Sequence, residues 1–150
     1  MKKTAVLTVF IMVLLTFCGC AEKSRPTLDI KKDSVTSVEF KKTCYSDSDP
    51  SFRSYVSKNV SQREDIDKIV EWAKSLKLTR HDAIEIPVDQ VSYVIVLGGA
   101  KEHKLIFIGD YIVFDTAAYT FDNSSQKTQV AENYNLLNYE ESESELDLIK

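Results

Sequence analysis

The residues able to do chemistry are few and scattered. His81 is followed by Asp82, and His103 is preceded by Glu102. A histidine beside an acid can serve in proton transfer or as a zinc ligand. Zinc needs three or four ligands, often at fixed spacing, and no H-x-H or H-x-x-x-H pair is present. Both histidines read as solvated loop residues. Asp47-Ser48-Asp49 begins like a calcium loop, but Ser51, Phe52 and Lys58 stand where such a loop needs an oxygen ligand, Gly and Glu. It reads as a turn. Glu85 and Asp89 could form an acid–base pair, yet among 23 acidic residues such pairs arise by chance. Gly98-Gly99-Ala100-Lys101 lacks phosphate-loop spacing and reads as a strand connection. No G-x-S-x-G elbow is present. The reading is therefore of a protein that is not an enzyme, with no catalytic residue, no metal and no cofactor.

Cysteines carry more information. Three are present: Cys18, Cys20 and Cys44. If the first two leave with a leader or carry a modification, Cys44 has no internal disulfide partner. It shares a strand face with Val38 and Phe40 by alternation, which predicts burial. Trp72 flanks the apolar stripe of a helix and is a candidate binding surface.

The elements that must position these residues follow from periodicity. Val35 to Tyr45 and Phe52 to Val60 read as strands. Ser61-Gln62-Arg63-Glu64 has the form of a capping box, and Ile66, Ile69, Val70, Ala73 and Leu76 follow at helical spacing. A helix from Gln62 to about Leu76 is predicted. Strands follow at Val91 to Leu97, Lys104 to Ile108, Tyr111 to Phe114 and Ala118 to Phe121. Gly109-Asp110 is a two-residue hairpin signal. The continuous runs Val94–Leu97 and Leu105–Ile108 predict strands covered on both faces. A second helix is expected from about Ser125 to Asn138. The class is α+β: an antiparallel β-meander sheet packed with one or two helices, in the order ββα-ββββ-α.

The 150 residues suffice for one domain, and 43% hydrophobic with 28% charged residues fits a globular chain. Net charge is -4, which argues against nucleic acid as a partner. The acidity is concentrated at the end: Glu140, Glu141, Glu143, Glu145 and Asp147 face only Lys150. Such a run predicts an acidic disordered tail over 139–150.

At the other end, Lys2 and Lys3 precede a stretch from Thr4 to Cys20 without any charge. Cys18-Gly19-Cys20 closes it, and Ala21-Glu22-Lys23-Ser24 is abruptly polar. That is the layout of a secretory signal. Gly19-Cys20 resembles the lipobox of bacterial lipoproteins, in which a small residue precedes the cysteine that takes a diacylglyceryl group. Phe17 stands where that family usually has Leu. Cleavage after Ala21 by an ordinary signal peptidase is the alternative, and a retained anchor is a third. The strand-helix-meander unit, with Asp65-Ile66-Asp67-Lys68-Ile69-Val70 and Ile108-Gly109-Asp110-Tyr111-Ile112, is similar to small lipoproteins of Gram-positive bacteria. That resemblance implies no activity.

The organisation expected is a lipoprotein signal peptide over 1–20, a tether over 21–34, a single α+β domain over 35–138 and the tail. The resemblance implies a lipid-anchored protein on the extracytoplasmic face of the cell membrane, with a diacylglyceryl group on Cys20. It would act as a non-enzymatic binding or accessory module for an envelope protein or a small ligand. The alternatives are an envelope enzyme with an unrecognised active site and an immunity-type inhibitory lipoprotein.

Overall fold

A computed structural model of the chain describes residues 26–45, 53–81 and 90–145. Cys18, Cys20, the Asp47-Ser48-Asp49 turn, Asp82, Glu85 and Asp89 lie outside them.

Among the described residues, eight strands form one sheet and two α-helices pack on it. The strands are β1 (Val35–Tyr45), β2 (Arg53–Val60), β3 (Leu78–His81), β4 (Val91–Gly99), β5 (His103–Ile108), β6 (Tyr111–Phe114), β7 (Ala117–Phe121) and β8 (Glu141–Ser144). The helices are α1 (Arg63–Ser75) and α2 (Ser125–Leu136). Every pairing is antiparallel, in the order β3-β7-β6-β5-β4-β1-β2-β8. The α+β class holds. The element order differs from the expected one by two added strands, β3 and β8, which are the two edges of the sheet.

The main core lies between one sheet face and the helices. Ile66, Ile69, Val70 and Ala73 of α1 and Val130 and Tyr134 of α2 meet Phe40, Ile95, Leu105, Phe107 and Ile112 there. The opposite face holds a smaller buried cluster of Val91, Val94, Ile106, Ile108 and Val113. The central strands are thus apolar on both sides, as their unbroken runs of apolar residues require.

Three expectations are corrected at the borders. Leu28 and Ile30, assigned to the tether, are each 3% exposed and belong to the main core. Two apolar side chains spaced by two were enough to bring this segment in. The expected capping box does not form: α1 begins at Arg63, with Gln62 as its cap and no side-chain cap bond. Instead the Gln62 N–H donates to the Tyr139 hydroxyl at 3.2 Å, and that hydroxyl donates to Asp65 at 3.0 Å. Residues 139–145 of the expected disordered tail are therefore structured: Tyr139 holds the start of α1 and 141–144 pair with β2. Charge repels side chains from one another, but it leaves the main chain free to complete a sheet edge, where charged residues are common.

Two glycines have structural reasons. Gly109, at φ 56°, makes the β5–β6 hairpin. Gly99 ends β4 rather than lying in a loop, and a Cβ there would overlap the Ser34 carbonyl.

Candidate functional site

Trp72 projects from α1 onto the sheet. Its ring stacks on Phe107 at 6.1 Å between centroids, and Phe107 stacks on Phe121 at 6.4 Å. Its indole N–H donates to the Gln129 side chain of α2 at 3.3 Å. The polar end of an indole seeks such a partner when the ring is covered. Trp72 is half-buried and joins both helices to the sheet. Its first role is packing, with one margin left to solvent.

A second assembly stands where α2 ends over β1 and β2. Phe40, Tyr93 and Tyr134 meet edge to face or tilted, with centroids 5.2 to 6.0 Å apart. Lys58 Nζ lies 4.6 Å from the Tyr134 ring centre, and Lys42 Nζ lies 5.7 Å from it. Both are within cation–π range. Lys58 is 8% exposed, which a lone ammonium would not tolerate. It donates to the carbonyls of Tyr134 and Leu137, at 3.1 and 2.9 Å. These carbonyls close α2, so the cation sits at the negative end of the helix dipole. The Tyr134 hydroxyl donates to Glu141 of β8 at 3.1 Å. Burial, and then the Glu141 carboxylate, push the Tyr134 phenol well above its ordinary range. Tyr93 is raised as well, by burial and by Cys44.

Cys44, next to last in β1, is half-buried rather than fully covered. Its neighbour Thr43 is the buried one, with its hydroxyl donating to the Val91 carbonyl at 2.8 Å.

The histidines correct the sequence reading. His103 opens β5, is 7% exposed and pairs through Nδ1 with Asp115 at 2.9 Å. Its ring stacks on Phe114 at 5.4 Å. Asp115, at φ 53°, also accepts from the Lys104 N–H at 3.1 Å, so the pair fixes the β6–β7 turn. His81 lies in β3, half-buried, with Nε2 2.9 Å from the Thr120 hydroxyl. Glu102, beside His103 in sequence, pairs with Lys104 at 3.6 Å, and His103 takes Asp115 instead.

Among the described residues, no three His, Cys, Asp or Glu side chains gather as a metal site, and no helix is long and apolar enough to cross a membrane. Sequence reasoning missed Lys58, Glu141 and the β8 contacts. The alternation Glu-Ser-Glu-Ser over 141–144 was the available signal, a period-two pattern without apolar residues. Comparison with protein families, curated proteins and solved structures finds no match.

Proposed function

We propose that the protein is exported, lipidated at Cys20 and held on the extracytoplasmic face of the membrane, where it works as a non-enzymatic binding or accessory module. The carrying observation is the charge-free stretch from Thr4 to Gly19-Cys20 behind Lys2 and Lys3. Two acyl chains on Cys20 would give stable anchoring where one would not.

The buried position of Leu28 sharpens this reading. Eight residue steps separate Cys20 from the core. Fully extended they span at most roughly 26–29 Å. As a flexible coil they span about 14–17 Å. The domain would ride close to the bilayer, and its reach would be limited to envelope partners near the membrane.

Cell fractionation with in-cell cross-linking tests the proposal, comparing the wild type with Cys20→Ser. The expected result is a membrane-bound wild type with a cross-linked envelope partner, and loss of both lipid labelling and membrane retention in Cys20→Ser. Equal lipid labelling of the two would overturn the assignment of Cys20.

A further inference from the structure

β8 closes the outer edge of β2, and it does so without a hydrophobic contribution. Its four residues are Glu and Ser only, none is buried, and none joins either core cluster. Its attachments are ladder hydrogen bonds and polar contacts that alternate between faces. On the helix side, Glu141 lies opposite Lys58 and accepts from the Tyr134 hydroxyl at 3.1 Å. On the other side, the Ser142 hydroxyl lies 3.4 Å from that of Ser57, and the Ser144 hydroxyl donates to Glu39 at 3.2 Å. Just beyond the strand, Lys41 Nζ donates to the Glu145 carbonyl at 2.8 Å.

An edge built this way reads an extended segment in three ways: main chain along the ladder, carboxylates on one face, small hydroxyls on the other. Strand addition at sheet edges uses this division, with main-chain bonds for affinity and alternate side chains for specificity. Among the described residues β8 pairs with Tyr55–Lys58 of β2. Segments with few buried apolar contacts open first in native proteins.

We propose that the β2 edge is a strand-addition site for an extended, acidic, hydroxyl-bearing segment of a partner protein, and that β8 occupies it within the chain until displaced. The inference rests on the binding-module part of the proposed function and is independent of lipidation. Being tethered, β8 competes at an effective concentration in the millimolar range, so only a longer or better-matched strand displaces it.

The test uses residues 21–150, which include every described element, and a labelled peptide of sequence Tyr-Glu-Glu-Ser-Glu-Ser-Glu, copied from 139–145. Ser142→Pro opens β8 without touching the core. The peptide should bind Ser142→Pro at least tenfold tighter than the unsubstituted chain. The same peptide carrying Glu141→Gln and Glu143→Gln should bind at least tenfold more weakly than the parent peptide. Absence of binding to Ser142→Pro, or equal binding of the two peptides, overturns the proposal. If Ser142→Pro does not fold, hydrogen exchange on the unsubstituted chain decides. Amides of 141–144 should exchange at least a hundredfold faster than those of β4, and exchange of both only on global unfolding overturns the proposal. A partner cross-linked in cells away from β2 would leave the module reading in place and remove this site.

Discussion

Lys58 and Tyr134 are joined two ways at once: the ammonium donates to the Tyr134 carbonyl at 3.1 Å and stands 4.6 Å from the centre of its ring, while it also holds the Leu137 carbonyl that follows. One buried cation thus ends α2, faces its largest side chain and ties both to β2. The phenol of the same tyrosine reaches on to Glu141. Helix, sheet and edge strand meet at this pair.

Lys58→Met keeps the aliphatic stem and removes the donor. The Leu137 carbonyl loses the Lys58 donor and the Tyr134 carbonyl keeps only the Leu137 N–H, and hydrogen bonds from a charged group contribute about 1.5–3 kcal/mol. Urea unfolding should show a loss of about 2 kcal/mol or more. A loss below about 0.5 kcal/mol would contradict the assigned role.

Tyr134 makes the protein sensitive to alkali. Its phenol is raised in the fold by burial and by Glu141, while in the unfolded chain it titrates near about 10. The folded state then holds the proton longer, so stability is fully present below about pH 10 and falls as pH rises beyond it. Tyr93, also raised, acts in the same direction. Thermal melts between neutral pH and pH 11 should show this fall, and Tyr134→Phe should flatten it. An unchanged alkaline slope in Tyr134→Phe would place the effect elsewhere.

Gly99 lies where a side chain has no room, against the carbonyl of Ser34. Gly99→Ala must push β4 away from the start of β1. The expected cost is about 1–3 kcal/mol, as for other overpacked sites, read as a lowered Tm.

Tyr139→Phe removes the hydroxyl that receives the Gln62 N–H and donates to Asp65. The Gln62 N–H and the Asp65 carboxylate lose this partner, for which about 0.5–3 kcal/mol is the expected cost. The protein has a single tryptophan, Trp72 on α1, so its fluorescence follows the unfolding directly.

Most of the interior was legible in the sequence. α1 showed as apolar residues at helical spacing, and the β5–β6 hairpin as Gly109-Asp110 between apolar runs. What could not be read were elements without an apolar signature. β3 is Leu-Thr-Arg-His and β8 is Glu-Ser-Glu-Ser, edge strands stabilised by pairing with a neighbour that local periodicity does not reveal. The start of α1 is a similar case: Ser61 and Glu64 had suitable spacing, but Gln62 stands at the cap and its N–H goes to Tyr139, far away in sequence. His103 read as a solvated loop residue and the burial of Lys58 was not foreseen, because burial of a polar group depends on distant partners, Asp115 for one and the α2 carbonyls for the other. The sequence signal for Cys20 stands in the first twenty residues and is independent of all of these.

The most direct test of the anchored-module account is the intact mass of the N-terminal peptide from membrane-extracted protein. The account expects a peptide beginning at Cys20 and carrying a diacylglyceryl group. A peptide beginning at Glu22 without lipid, or one still containing Lys2 and Lys3, would contradict it.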